Sequence, residues 1–364
     1  MYNSNKKLIK STMLIIIAGW NLYAQDGKVS GFITDEETGE ALIGANVFIV
    51  ETGNGMSTDN NGYYVLQNIS SGSYTLMVSY IGYSTLQKEI IFGADESIKM
   101  NLELGIEAVA ITEVDVSAEK IQRKNNIQPS RVNLSPRIIK AAPALSDPDI
   151  FRTIQALPGV LTSNEASTGL VIRGGNTDQN LILLDGITVY NPTHFGGIFS
   201  NFLVDAVKEA ELIKGGFNAE YGGRLSAVLN VLSREGNRNY FQGKTSISLL
   251  SAQTTLEGPF YNGAWLLSAR RTYFDYLLPK ILPAETAEKI PPYYFYDLQG
   301  HVFSDLNEKD RISVSIYRGI DDLIFDNLGL TADWGNNTYS LSFRRVFNEK
   351  LVGNFLVALS LIHI

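Results

Sequence analysis

The chain reads LVIRGG at residues 170–175, LILLDGITV at 181–189, AELIKGG at 210–216 and EYGGRLSAVLNV at 220–231. Each short apolar run is stopped by glycines, which permit positive φ and close backbone approach without a Cβ clash. Asp185-Gly186 lies between a Leu-rich run and a Thr/Val-containing run and is a hairpin signal. The stretch Leu170–Val231 therefore predicts a small α/β unit punctuated by glycine.

These segments, in this order and spacing, resemble the plug domain of TonB-dependent outer-membrane receptors. The positions that carry the resemblance are Arg173, Gly174, Gly175, Asp185, Gly186, Lys214, Gly215, Tyr221, Gly222 and Arg224. The resemblance implies that the arginines of this set, Arg173 and Arg224, pair with acidic groups on a barrel wall and hold the plug in the lumen. Two departures weaken that implication: Lys214 stands where Arg is commoner, and Arg224-Leu225-Ser226 interrupts the usual small residues.

Composition excludes several functional classes. The net charge is −8 and there is no Lys/Arg stripe, which argues against a nucleic-acid partner. Cysteine is absent, which removes disulfide scaffolds, thiolate metal sites and Cys nucleophiles. The three histidines, His194, His301 and His363, are widely separated, and no zinc or nucleophile-elbow motif occurs. We therefore predict no catalytic residues, no metal and no cofactor, and we expect carboxylate pairs such as Asp321-Asp322 to be solvated in loops.

The N-terminus has the features of an export signal. Lysines at positions 6, 7 and 10 precede the apolar run Met13–Trp20, and the small residue Ala24 follows. The apolar run is too short to span a bilayer, which needs about 20 residues. We predict a signal peptide over residues 1–24 that is cleaved after Ala24.

Residues 25–105 predict a small β-sandwich, because short strand-like runs alternate with turn clusters. GFITDEETGEALIGANV at 31–47, TDNNGYY at 58–64 and YIGY at 80–83 resemble the carboxypeptidase regulatory-like (transthyretin-like) domain. Such domains often precede the plug in one branch of the receptor family.

Residues 106–130 form a predicted linker that contains one isolated alternating run. The run consists of Ile111, Thr112, Glu113, Val114, Asp115, Val116 and Ser117. An extended peptide of this kind can add as an edge strand to a partner sheet. Its position before the plug is where the family has its TonB box, the segment that binds TonB. The alternative is a final sandwich strand or a plain linker.

Residues 131–236 are the predicted plug. A helix is expected over Asp147–Leu157, from an Asp cap, an early Pro and apolar spacing, and another short helix over Phe202–Val207. The loop between the second strand and that helix would lie at the plug apex. The residues of this loop that could contact a ligand are Tyr190, Asn191, His194 and Phe195.

From residue 237 to 364 the apolar residues recur with period 2 and aromatic residues gather near strand ends, which is typical of an outer-membrane barrel. We expect six strands: Ser246–Gln253, Trp265–Tyr273, Tyr296–Ser304, Ile312–Ile316, Tyr339–Arg344 and Val352–Leu359. A plugged transporter barrel has about 22 strands. The sequence therefore looks like a fragment truncated within the barrel, and its last residues are of doubtful authenticity.

Together these features predict a mainly β protein with a transthyretin/Ig-like sandwich, an α/β plug and the first strands of a transmembrane antiparallel barrel. The resemblance implies an outer-membrane receptor of Gram-negative type, with a periplasmic N-terminal domain, that takes up a ligand through energy-coupled plug movement. The implied partners are the inner-membrane TonB complex, outer-membrane lipid and an unknown extracellular ligand, and a SusD-like lipoprotein stays open. The alternatives are a signal-transducing receptor and a secreted β-sandwich adhesion or binding protein.

Overall fold

The computed structural model describes residues 27–59, 61–93, 96–106, 131–143, 147–162, 168–287, 290–325, 330–348 and 351–363. The chain divides into two compact units, 1–110 and 111–364. The predicted signal peptide and the predicted TonB box both lie outside the described residues. Among the described residues, none of the helices has the length and apolar content needed to span a bilayer.

The first unit is a β-sandwich of two sheets. Its strands are β1 (Gly27–Asp35), β2 (Asn46–Ile49), β3 (Gly55–Ser57), β4 (Tyr63–Ile69), β5 (Gly72–Ser79), β6 (Leu86–Phe92), β7 (Ser97–Lys99) and β8 (Leu102–Leu104). One sheet has the order β3-β2-β5-β6, and in the other β1 pairs with β4, β7 and β8. The described part of this unit contains only strands, which does not fit the βαβ domains of signalling receptors.

The sandwich core follows the alternation of its strands. Residues such as Val47, Ile49, Leu76 and Val78 point inward from neighbouring strands and have no exposed surface. Strands β7 and β8 are separated by Met100 and Asn101, and the backbone N–H of Met100 donates to the carbonyl of Ser30 on β1.

The second unit contains the plug, built on a five-stranded sheet of order β13-β12-β17-β16-β9. Its strands are β9 (Arg131–Leu134), β10 (Val160–Thr162), β11 (Leu170–Ile172), β12 (Asn180–Leu184), β13 (Ile187–Thr188), β14 (Thr193–His194), β15 (Phe199–Ser200), β16 (Val207–Ile213) and β17 (Ala227–Ser233). Helices α1 (Pro136–Ala141) and α2 (Ile150–Gln155) and 3-10 turns at Thr177–Gln179 and Val204–Ala206 accompany them. The sequence run quoted at the outset thus forms most of the sheet.

Local signals explain the plug elements. Helix α2 is shorter than the expected Asp147–Leu157, and its cap is Asp149 rather than the Asp before Pro148: the Asp149 carboxylate accepts the N–H of Arg152 at 3.1 Å. Asp185 and Gly186 both have positive φ, 52° and 79°, as a tight turn between β12 and β13 requires. The helix expected over Phe202–Val207 is only a 3-10 turn, because β16 begins at Val207.

Seven antiparallel strands follow in sequence order, β18 to β24. They are β18 (Gln242–Ile247), β19 (Ser251–Phe260), β20 (Gly263–Thr272), β21 (Tyr293–Asp305), β22 (Asp310–Phe325), β23 (Leu330–Asn348) and β24 (Leu351–His363). Between β20 and β21 lie two short helices, α3 (Phe274–Ile281) and α4 (Ala284–Ala287). The predicted strand Ser246–Gln253 is wrong: a turn at 248–250 divides it, because the Ser248 hydroxyl accepts the N–H groups of Leu250 and Ser251.

The two faces of this sheet have opposite polarity. On β22, Ile312, Val314 and Ile316 point away from the plug, whereas Arg311 and Asp321 are buried on the plug side. Apolar residues outside and polar residues inside are the arrangement of an outer-membrane barrel strand. The fold class predicted from the sequence is therefore confirmed in all three parts.

Candidate functional site

The candidate site is the surface on which the plug contacts the barrel strands, together with the plug apex. Many of its contacts are polar. Besides the two clusters described below, they include Thr188 O with Ser360, Ser233 with Gln299, Asp205 with Lys244, and Asp147 with Ser251. Apolar contacts accompany them, where Leu203 and Ala206 pack on Leu266 and where the rings of Phe195 and Phe199 lie beside Tyr293 and Phe295.

His194 occupies the centre of the upper cluster. It lies on β14 and its ring has no exposed surface. Nε2 is 2.8 Å from Oδ1 of Asp297 on β21, and Nδ1 is 2.8 Å from Oδ2 of Asp321 on β22. The ring stacks on Phe295, with centroids 4.1 Å apart and planes inclined by 7°. One plug side chain thus bridges two barrel strands.

Both carboxylates of this cluster are surrounded by donors. Asp297 also accepts from Nε and Nη2 of Arg270, at 2.8 and 2.6 Å, and from the hydroxyl of Tyr317 at 2.9 Å. Asp321 also accepts from the backbone N–H of Phe195 at 3.0 Å and from the hydroxyl of Tyr293. Arg270 in turn donates to the carbonyl of Ser200 at 2.7 Å, which gives a second contact to the plug.

The electrostatics of His194 follow from these neighbours. Burial alone would lower the pKa of the imidazole, since it penalises the charged form. The charge of Asp297 and the hydrogen bonds to Asp297 and Asp321 outweigh burial, so the pKa of His194 lies above its ordinary value. The cluster favours the imidazolium.

A second cluster holds the segment that leads from the plug into β18. Arg234 pairs with Glu257 through both Nη atoms, at 2.9 and 2.8 Å. Arg311 bonds Glu235 at 2.6 Å and Asp305 at 2.6 Å. Burial would raise the pKa of Glu235, but the nearby charge of Arg311 lowers it well below its usual range. This lower cluster is built from permanently charged guanidinium groups.

Arg238 completes the lower cluster. Its Nη1 is 2.9 Å from Asp305, and its guanidinium lies 4.6 Å from the ring centroid of Phe303. Arg311 lies 4.5 Å from the same centroid, so two cations contact one ring.

The apex loop is anchored to the barrel as well. The N–H of Asn191 donates to Oδ1 of Asn336 at 3.2 Å, and the carbonyl of Asn191 accepts from the amides of Asn336 and, at 2.8 Å, Asn201. Tyr190 and Phe195 remain 55% and 45% exposed.

The four predicted apex residues therefore separate into two groups. Tyr190 and Phe195 present surface, Asn191 is tied to β23, and His194 is buried. His194 is not an exposed apex residue, contrary to the expectation, because Asp297, Asp321 and Phe295 enclose its ring. The expectation that Asp321 is solvated is also wrong, since its carboxylate is 1% exposed.

The charged residues of the plug motif make contacts within the plug. Asp185 accepts from the N–H and hydroxyl of Ser233, at 2.8 and 2.7 Å. Lys214 donates to the carbonyl of Pro158 at 2.9 Å, and Arg224 to that of Gly223 at 2.9 Å. Arg173 has positive φ, 48°, at the turn after β11.

The remaining motif positions shape the plug turns. Gly174 and Gly215 have φ near +80°. Gly175 leaves no room for a Cβ beside Ser226, and Tyr221 packs on a small core of Leu181, Leu183, Ile213 and Val228. The ionic contacts between plug and barrel described above come from positions other than the motif. Sequence reasoning missed Arg234, which lies in the segment after β17, and also Glu257, Asp297, Arg270 and Asn336. The signal of these four was a polar side chain on the inward side of a period-2 strand.

Two domain families match the chain. The carboxypeptidase regulatory-like domain matches residues 29–116, and the TonB-dependent receptor plug domain matches residues 113–228. Both matches overlap the segment 111–117, so the TonB box stays a prediction.

Several named proteins are similar to the chain. TonB-dependent receptor P26 of Formosa agariphila is 30% identical over 57% of this chain and 21% of its own length. TonB-dependent receptor SusC of Bacteroides thetaiotaomicron is 26% identical over 89% of this chain and 32% of its own length. The crystal structure of the siderophore receptor PirA of Pseudomonas aeruginosa matches 64% of this chain and 40% of that chain, at 16% identity and a TM-score of 0.47. The chain spans roughly a fifth to a third of the length of these two curated relatives.

Proposed function

Because the chain belongs to the TonB-dependent receptor family, we propose that the protein acts in the outer membrane as a receptor that takes up an extracellular ligand by energy-coupled movement of its plug. The family is one of receptors and transporters, and no catalytic step is part of the proposal. The energy would come from the inner-membrane TonB complex, which would bind residues 111–117.

The observation that carries the proposal is the polar character of the plug–barrel contact. When the plug leaves the barrel wall, the contacting surfaces of the plug and of the barrel both become exposed to water. Ion pairs and hydrogen bonds, such as Arg234–Glu257 and Asn191–Asn336, exchange their partners for water on separation. Their net contribution to stability is therefore modest, about 0.5–1.5 kcal/mol for a typical hydrogen bond.

An apolar contact would behave differently. Each square ångström of apolar surface returned to water costs about 25 cal/mol, and no new partner compensates for it. The buried apolar residues of the plug lie mainly in its own interior, around Phe151, Leu212 and Leu229. The plug core is thus built mainly from the plug's own residues, with Tyr317 of β22 as a barrel member, and many of its outer contacts can exchange for water. This arrangement suits a part that moves as a unit.

The ligand would meet the exposed apex residues Tyr190 and Phe195. The ring of Phe195 lies 6.4 Å from that of Phe274 on α3, in the connection between β20 and β21. A SusD-like lipoprotein is a candidate partner, since one relative carries the name SusC.

The test is a binding experiment with the full-length receptor and the purified C-terminal domain of TonB from the same organism. Val114→Pro removes a backbone donor and fixes φ near −65°, so it should abolish strand addition. Val114→Thr keeps the donor and the β propensity and should bind like the parent. Equal retention of TonB by the Pro and Thr variants would reject the assignment of the box to this segment.

A further inference from the structure

We propose that His194 is a proton-dependent latch, which holds the plug hairpin β14–β15 against barrel strands β21 and β22 while its imidazole carries a positive charge. The inference goes beyond uptake, because it concerns how the plug is retained when nothing is being transported. It rests on the hydrogen-bond pattern around one fully buried side chain.

The charge of the His194 imidazole follows from the number of protons that its hydrogen bonds require. Each ring nitrogen of His194 lies 2.8 Å from a carboxylate oxygen. A neutral imidazole has only one N–H, so its other nitrogen would direct a lone pair at a carboxylate. The remaining neighbours of Asp297 and Asp321 are all donors: the guanidinium of Arg270, the hydroxyls of Tyr293 and Tyr317, and the N–H of Phe195. Both acids are therefore acceptors only, and the second proton belongs on the imidazole.

Charge balance gives the same assignment. The titratable and charged groups that contact His194 or its two carboxylate partners from the strands packed against it are Asp297, Asp321, Arg270, Tyr293 and Tyr317. From the plug, Asp149 accepts the N–H of Ser200 on β15, and the charge of Asp147 acts on Arg270. With the imidazolium, two carboxylates meet two cations. With a neutral imidazole, a net negative charge is left in a site where His194 and Asp297 have no exposed surface. An uncompensated buried charge is strongly destabilising.

The pKa of His194, raised by its two carboxylate partners against the effect of burial, agrees with this assignment. A group whose pKa is higher in the docked state stabilises docking fully at low pH. That stabilisation is lost as pH rises through the docked-state pKa. The arginines of the lower cluster, Arg234, Arg238 and Arg311, keep their charge at all working pH values, although His301 lies near enough to act electrostatically on Glu235. The upper cluster differs because its imidazole itself bridges the plug and the barrel.

Hydrogen exchange on the full-length receptor in detergent tests the latch. The amide of Phe195 donates to Asp321 on the barrel, so its exchange reports docking of the hairpin. The amides of Gly197 and Ile198 donate to the carbonyl of His194 within the hairpin, so their exchange reports whether the hairpin itself stays folded. After correction for intrinsic exchange, protection should fall as pH rises from about 5 to about 10. The fall should be about tenfold for each unit by which docking raises the pKa.

Three variants separate the latch from a merely structural histidine. His194→Gln should lower protection at low pH and remove its pH dependence. Asp321→Asn should move the transition to lower pH, a shift that lost packing alone does not produce. His301→Gln, which removes a half-buried ring bonded to Ser315, should behave like the parent. A parent whose protection does not change over this range, or an unchanged transition in His194→Gln, overturns the proposal.

Discussion

Replacing Gly31 by Ala should severely destabilise the N-terminal sandwich. Gly31 lies on β1, opposite Tyr64 on one side and beside the step between β7 and β8 on the other. A Cβ added there would lie 1.9 Å from the carbonyl oxygen of Met100 and 2.5 Å from its carbon. That is about 1.5 Å closer than ordinary contact, and the obstacle is backbone, so no side-chain rotation relieves it.

The magnitude follows from the cost of overpacking. Inserted carbon atoms in a well-packed core cost about 1–3 kcal/mol, and we expect the upper end, about 3 kcal/mol, because two strands must separate. In a domain of this size each kcal/mol lowers Tm by about 4–8 °C. The Gly31→Ala variant should therefore melt about 12–24 °C below the parent.

The assay is thermal melting of the excised segment 25–105, followed by circular dichroism, where the parent should show a β-type spectrum and a cooperative transition. Gly93→Ala is the matched control, because its Cβ would contact only the flexible carboxylate of Glu96 at 3.2 Å. Its Tm should stay within about 4 °C of the parent. If the Gly31→Ala domain had the same Tm as the Gly93→Ala control, the predicted clash between a Cβ at position 31 and the carbonyl of Met100 would be wrong.

Two further predictions concern the plug and the N-terminus. Burial, and secondarily the charge of Glu211, raise the pKa of Glu209 to about 7. The stability of β16 should fall as pH rises from 4.5, the ordinary value, to about 7, and Glu209→Gln should remove this dependence in hydrogen exchange of the full-length receptor. Intact-mass measurement of the exported protein should give a chain that begins at Gln25, and a mature chain that retains Met13–Trp20 would contradict cleavage after Ala24.

Elements defined by local signals could be predicted from the sequence. Helix α2 has its Asp cap, the β12–β13 turn has Asp185-Gly186, and β22 and β23 show clean alternation. The split between β18 and β19 was missed although two signals mark it. Leu249-Leu250 breaks the alternation of Ser246–Gln253 at the turn, and the Ser248 hydroxyl accepts the N–H of Ser251.

The contacts that hold the plug could not be predicted. His194 lies 103 and 127 positions from its two carboxylate partners, and nothing local to any of them indicates the pairing. Asp321-Asp322 looked like a solvated pair, yet Asp321 points inward to His194 while Asp322 bonds Tyr294. Such pairings depend on how the plug seats against the barrel strands, which the period of a strand does not specify.

The central claim, that the plug must leave the barrel wall during uptake, is tested most directly by a reversible tether. In the full-length receptor with any other cysteine replaced by Ser, Asp147→Cys with Ser251→Cys places two thiols where the Ser251 hydroxyl now donates to Asp147 at 2.5 Å, so that oxidation can tether the plug to β19. Uptake is measured in cells as accumulation of the nutrient whose use requires this receptor, with each single-cysteine variant as control. The oxidised double variant should reach the outer membrane but should not accumulate the nutrient. Reduction of the disulfide should restore uptake. Parent-like uptake through the oxidised, tethered receptor would contradict the central claim.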